Sequence, residues 1–188
     1  MDLKYEGEDS KLIVGDRTTI REFCTLHRGT KNKEVTIIGS DCLLMPYSHV
    51  AHDVIIGDNV IVSISVNIAG HVEVDDYAII GGCTPVHQFC KIGQHAFIGG
   101  GRVILQDVPP YILATGEPLK YAGINSVGLR RRSFDLKKRK TIKKAYSLIY
   151  QSDLNITQAV ERIKNDFEAL DEIKIILDFI ERSDRGLI

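Results

Sequence analysis

Residues 50–98 read VAHDVI IGDNVI VSISVN IAGHVE VDDYAI IGGCTP VHQFCK IGQHAF I, and every unit of six opens on valine or isoleucine. Carried back to Val14 and forward to Ile104, the same count meets an aliphatic residue at every position except Asn32. An α-helix repeats at about 3.6 residues and a strand at about two, so neither explains a period of six. Four residues after each aliphatic position comes a smaller buried-type residue, among them Thr18, Cys24, Cys42, Val54, Val60, Val66, Val72, Ala78, Thr84, Cys90 and Ala96. Glycine often follows the aliphatic position, as at Gly39, Gly57, Gly81 and Gly93. This is the hexapeptide signature of a left-handed parallel β-helix, in which each unit is one short strand plus a turn and three units close a triangular coil. Residues eighteen apart then stack at roughly 4.8 Å.

The repeat predicts three regions: a substrate loop over 1–13, a β-helix of about five coils over 14–110, and a connector with a C-terminal helical domain over 111–188. DVPPY at 107–111 is expected to end the coils, because successive prolines cannot donate to a sheet ladder. TKNKE at 30–34 is expected to bulge from a corner as a polar turn. Residues 111–134 read as an irregular connector, followed by helices over about 135–151, 155–168 and 171–183. Asn155 with Gln158 makes an N-terminal capping pair.

A chain of 188 residues, 44% hydrophobic, with formal charge −1, sustains a sizeable core and carries no basic footprint for nucleic acid. No apolar run reaches the roughly 18 residues of a transmembrane helix, and MDLKYEGEDSK lacks a signal peptide's basic head and apolar stretch. A cytoplasmic location is expected. Cys24 and Cys42, eighteen apart, are expected to stack as reduced core thiols, and no C-x-x-C pair points to zinc. The helical region opens on a basic run that includes Arg130, Arg131, Arg132, Lys137, Lys138, Arg139, Lys140, Lys143 and Lys144. Such a run is either a solvated face or a dock for an anionic partner.

The coil arithmetic gathers chemistry on one face. Units opening at Val50, Ile68 and Val86 stack, and they carry His52 with Asp53, Gly70 with His71, and His87 with Gln88. Asp53 and His71 differ by eighteen, as do His52 and Gly70, while His49 leads onto the same face. An imidazole held by a carboxylate beside an open backbone N–H is suited to general base catalysis with oxyanion stabilisation. A three-histidine zinc site across coils would need another histidine five residues after His87, where the core residue Ile92 stands, so no metal is expected.

SHVAHDVIIG at 48–57, IAGHVEVDD at 68–76, IIGGCTPVHQFC at 79–90, QDVPPY at 106–111, TLHRGT at 25–30, GLRRR at 128–132 and RSDRGLI at 182–188 resemble the UDP-N-acetylglucosamine O-acyltransferase family of lipid A biosynthesis. The resemblance covers nearly the whole chain but lacks the family's further N-terminal coils. It implies transfer of an R-3-hydroxyacyl group from acyl carrier protein to the glucosamine 3-hydroxyl of UDP-N-acetylglucosamine, by a homotrimer with sites between subunits. No cofactor is implied beyond the carrier's own phosphopantetheine. By the same resemblance His52 is the general base, Asp53 its partner, Gly70 the oxyanion donor, and His71 a neighbour of Asp53. Asp2, Lys4, His49, His87, Gln88, Asn125, Arg131 and Arg132 would contact the substrates, and Gly100 marks where the acyl tail ends. A related N-acyl- or acetyltransferase acting on another sugar nucleotide, and an inactive scaffold that binds acyl carrier protein, are the alternatives.

Overall fold

A computed structural model of the chain describes residues 5–168 and 170–188. The hexapeptides form a triangular prism with three parallel sheets. The first face is β1 (Lys11–Val14), β4 (Val35–Ile38), β7 (Ile55–Ile56), β10 (Glu73–Val74) and β13 (Lys91–Ile92). The second holds β2 (Thr19–Ile20), β5 (Leu43–Leu44), β8 (Ile61–Val62), β11 (Ile79–Ile80) and β14 (Phe97–Ile98), and the third β3 (Thr25–Leu26), β6 (His49–Val50), β9 (Asn67–Ile68) and β12 (Pro85–Val86). From β4 onward the register is eighteen, with Val50 beside Ile68 and Ile68 beside Val86. Val50, Ile56, Val62, Ile68, Val74, Ile80, Val86, Ile92 and Ile98 all point inward and are buried. Each such side chain contributes roughly 1.5–3 kcal/mol by leaving water.

The corners explain how so short a unit turns. The third residue after each inward aliphatic has positive φ, for example Asp53 at 59°, His71 at 63° and Phe89 at 65°. This left-handed conformation costs about 1 kcal/mol or more for a non-glycine residue. It aims the corner N–H along the prism: His71 N–H donates to the His52 carbonyl at 3.2 Å and Phe89 N–H to that of Gly70 at 3.2 Å.

The first coil breaks the arithmetic. β1 pairs with β4, β2 with β5 and β3 with β6 at an offset of twenty-four, because one extra hexapeptide leaves the prism after Leu26 and returns at Val35. The polar turn at 31–34 does bulge. Cys24 and Cys42 consequently do not stack: Cys24 Sγ lies 3.2 Å from Ser48 Oγ, whereas Cys42 sits at another corner with its N–H on Thr18 Oγ1. Nothing among the described residues stacks beneath this coil, so the inward residues Val14 and Ile20 are 39% and 41% exposed.

The connector is regular rather than irregular. Pro109 and Pro110 fall at a corner, where no ladder N–H is required, and the second face gains β15 (Ile112–Thr115) in parallel with β14 and β16 (Lys120–Ile124) in antiparallel with β15. A short helix α1 (Ser126–Arg131) follows. The helical region is α2 (Leu136–Tyr150), α3 (Ile156–Asp166) and α4 (Asp171–Glu181), and Asn155 and Gln158 close the expected capping box. Among the described residues no helix is long and apolar enough to cross a membrane.

An aromatic column ties the helical region to the prism. His95, 7% exposed, stacks between Tyr77 and Tyr111 with ring centres 4.8 and 5.6 Å away, and Phe134 meets it edge-on at 5.1 Å. Its Nδ1 is buried with no hydrogen-bond partner among the described residues. Burial, then the Arg132 charge, pulls its pKa from 6.5 down to about 4. The unfolded chain binds this proton as pH falls through 6.5 while the folded chain resists until about 4, so stability is full above that window and declines across it. His95→Phe is expected to flatten the decline by on the order of 2–3 kcal/mol at the acid end, measured by urea unfolding across the window. An unchanged slope would show that the imidazole titrates normally in the folded protein.

Candidate active site

The third face carries the groove. Because Val50, Ile68 and Val86 point inward, their neighbours His49, Asn67, Pro85, Ala51 and Ala69 point out. With His27, His52 and Gly70 they line an open groove of about 420 Å³. Small side chains at Ala51, Ala69 and Gly70 form its floor. Burial pushes the pKa values of His27 and His49 down, so both favour the neutral form. Thr25 Oγ1 lies 2.7 Å from His49 Nδ1.

At the edge of the groove the predicted quartet assembles. Asp53 is fully buried, and its Oδ2 lies 2.8 Å from His52 Nδ1. Burial alone would raise the Asp53 pKa. The hydroxyl and amide of Thr30, then His52 and His71, outweigh that effect and hold it below the usual carboxylate value. An ionised Asp53 requires the proton on His52 Nδ1, which leaves Nε2 with its lone pair. His71 Nε2 stands 3.8 Å from the same carboxylate oxygen, a charge contact longer than a hydrogen bond. The His71 ring is stacked on Phe89 at 4.6 Å and meets His52 edge-on at 5.2 Å.

Gly70 lies directly against the imidazole. A Cβ at this position would fall 2.7 Å from His52 Cε1 and 2.9 Å from Nε2, so any side chain would displace the ring. Among the described residues the Gly70 N–H donates to no acceptor. Two equivalent corner amides on the first face are held by a carboxylate of the next coil, Ser40 by Asp58 and Asp58 by Asp76. Here the next coil offers Gln88, and the donor stays available.

Ligand-type atoms of His52, Asp53 and His71 lie within 4.8 Å of one another, close enough to hold a cation. Asp53 Oδ2, however, already accepts from the Thr30 hydroxyl at 2.5 Å and faces His52 Nδ1, and a cation there would have to displace both. The arrangement is better matched to acid–base chemistry.

The remaining expected site residues divide between faces. His87 and Gln88 lie exposed on the next coil of the same side. Arg131 instead lines an apolar groove of about 380 Å³ against the second face, with Ile79, Phe97, Leu113 and Val127. Gly100 packs at a corner of that face, where the Gly82 carbonyl would meet its Cβ at 2.9 Å. Arg132 sits over the Tyr77 ring at 4.9 Å. Asn125 is buried and caps α1: its side chain accepts from Gly128 N–H at 3.1 Å and donates to the His95 carbonyl at 3.0 Å. Asp2 and Lys4 lie outside the described residues.

Comparison with known proteins covers both the prism and the helical region. Residues 107–188 match the family description "Udp N-acetylglucosamine O-acyltransferase; Domain 2", and residues 36–63 match "Bacterial transferase hexapeptide (six repeats)". An acyl-[acyl-carrier-protein]–UDP-N-acetylglucosamine O-acyltransferase of Aliivibrio salmonicida is 45% identical over all 188 residues, which span 72% of that protein. The chain belongs to the UDP-N-acetylglucosamine O-acyltransferase family. The crystal structure of a Bacteroides fragilis UDP-N-acetylglucosamine acyltransferase superposes with a TM-score of 0.97 at 46% identity, covering the whole chain and 73% of that structure. An Arabidopsis UDP-N-acetylglucosamine acyltransferase gives 0.92 at 38%, covering the whole chain and 68% of its own length. In this chain the His–Asp pair lies on the third face and Arg131 against the second. His27 joins the groove and Thr30 joins Asp53 behind it without having been singled out by the residue pattern. Both lie at or next to the one interruption of the six-residue count, where stacking partners cannot be read by adding eighteen.

Proposed function

We propose that the protein transfers an R-3-hydroxyacyl group from acyl carrier protein to the 3-hydroxyl of UDP-N-acetylglucosamine, the first step of lipid A biosynthesis, with His52 as general base. The observation that carries the reading is an imidazole whose Nδ1 is fixed by buried Asp53 and whose Nε2 stands over the glycine floor of an open groove. Nε2 takes the sugar hydroxyl proton as that oxygen attacks the thioester carbonyl carbon. The carbonyl oxygen becomes anionic, and the Gly70 N–H is placed to stabilise it. Collapse of the tetrahedral species expels the phosphopantetheine thiolate, which recovers the proton from His52. Asp53 balances the imidazolium charge in between and orients the ring.

The acceptor's pyrophosphate suits Arg131 and Arg132, whose guanidinium forks match phosphate oxygens. Asn125 would act by holding α1 and with it these arginines. The division of the site supports a homotrimer: in one copy the His52 groove and the arginine groove lie on different faces, and a neighbouring copy can set one against the other. Acyl carrier protein, which is acidic, fits the basic side of α2. Lys138 is paired with Glu172 at 2.7 Å and Lys137 with Glu168 at 3.5 Å, whereas Lys140, Lys143 and Lys144 are exposed and in no ion pair among the described residues. These three are the free charge for docking.

Purified protein is expected to O-acylate UDP-N-acetylglucosamine from R-3-hydroxyacyl carrier protein, as followed by mass spectrometry. A preference for acetyl-CoA, or for a sugar nucleotide bearing an amine, would overturn the assignment. Donor KM is expected to rise several-fold, about 3- to 10-fold, between 0.05 and 0.3 M salt, since screening weakens a charged encounter. Charge reversal at Lys140, Lys143 and Lys144 should raise it likewise at low salt. A donor KM indifferent to both would remove the docking surface from the proposal.

A further inference from the structure

The extra hexapeptide of the first coil leaves the prism after Leu26, turns over 31–34 and returns at Val35. Its neck is fixed. Glu34 N–H donates to the Thr30 carbonyl at 2.6 Å, and Gly29 N–H donates to that of Lys11 at 3.0 Å. Gly29 has no room for a side chain, because a Cβ there would fall 2.2 Å from Val35 N where the loop crosses its own exit. Lys33 reaches Glu73 at 3.2 Å, and Lys31 N–H reaches Glu8 at 3.2 Å, so the loop is tied on two sides.

All of this construction presents one side chain inward. Thr30, 3% exposed, donates its N–H to Asp53 Oδ1 at 2.8 Å and its hydroxyl to Asp53 Oδ2 at 2.5 Å. The second oxygen is the one that faces His52 Nδ1. Thr36 makes a different contact, its Oγ1 accepting the Asp53 backbone N–H at 2.8 Å, which fixes the main chain but not the carboxylate.

We propose that Thr30 is a positioning residue for the acyl transfer: the inserted hexapeptide exists at this site to clamp both oxygens of Asp53, so that Asp53 presents Oδ2 to His52 in one orientation. The physical need is clear. A carboxylate with no exposure to water must find all its donors in the protein, and with only His52 on one oxygen it is free to rotate or to take up a proton. Either change loosens its hold on Nδ1 and releases the imidazole from the Gly70 floor. Thr30 touches no reacting atom and acts through Asp53. The proposal rests on His52 being the base.

Three variants test it. Thr30→Val keeps the branched shape and loses the hydroxyl, while Thr30→Ser keeps the hydroxyl and loses the methyl. Thr30→Val is expected to lower kcat by about 10- to 100-fold, the scale for groups that orient a functional histidine from outside, with KM for the nucleotide little changed and the melting temperature lowered because a buried carboxylate loses a donor. Thr30→Ser should restore most of the rate. Thr30→Ala, which adds no buried branch, is read in place of valine if that variant does not fold. In a His52→Ala background Thr30→Val should cost nothing further, because the clamp then holds nothing the reaction uses. If His52→Ala is inactive yet Thr30→Val turns over like wild type, or if serine and valine lose rate equally, the clamp is refuted and the base assignment stands. If His52→Ala itself keeps full activity, the base assignment fails.

Discussion

Alanine at position 52 is expected to lower kcat at least about 100-fold, the usual scale for losing a general base, with melting temperature and nucleotide KM close to wild type. The separation follows from where the imidazole sits. His52 stands at a corner, outside the aliphatic core, so the prism does not depend on its packing. Truncation leaves the Gly70 N–H, the small-residue floor and the arginines in place, and binding should persist while proton removal stops. Full turnover by His52→Ala would leave the His–Asp pair a structural feature of the corner and send the search for a base to His49 or His27.

The sequence reveals this arrangement unevenly, for a physical reason. Between Ile38 and Ile104 the fold is periodic, and adding eighteen is enough to place His52 beside Gly70 and Asp53 beside His71. Inward-pointing aliphatics fix that register so tightly that distant residues can be set side by side on paper. Where the period is broken the method has no purchase. The extra hexapeptide shifts the first coil to an offset of twenty-four, so the supposed Cys24–Cys42 stack is absent and the contact between Thr30 and Asp53 is invisible to the arithmetic. The connector fails for another reason. β15 and β16 are set by pairing with the end of the prism, and their residues ILAT and KYAGI carry no six-residue pattern of their own. Resemblance, rather than periodicity, singled out Asn125, Arg131 and Arg132, and it could not say that the Asn125 side chain is committed to capping α1.

Mixing two inactive variants is expected to restore activity. Within one copy His52 lines the groove on the third face, while Arg131 lines the groove against the second. If a working cleft takes its base from one subunit and its arginines from the neighbour, a homotrimer of His52→Ala has three clefts without a base, and one of Arg131→Ala with Arg132→Ala has three without the phosphate contacts. Co-expressed and assembled at random from equal amounts, a cleft has one chance in two of an intact base and, independently, one in two of intact arginines. About one quarter of wild-type turnover should return, against almost none from either parent. Assembly is essential to the result, so parents mixed without subunit exchange should stay inactive. Complementation near this level would place the two groups on different subunits and support a closed ring with a cleft at each junction. No recovery from co-expressed, demonstrably mixed oligomers would mean that each subunit supplies both groups to its own site, and the separation of the two grooves would then have to be closed by movement of α1 within a single chain.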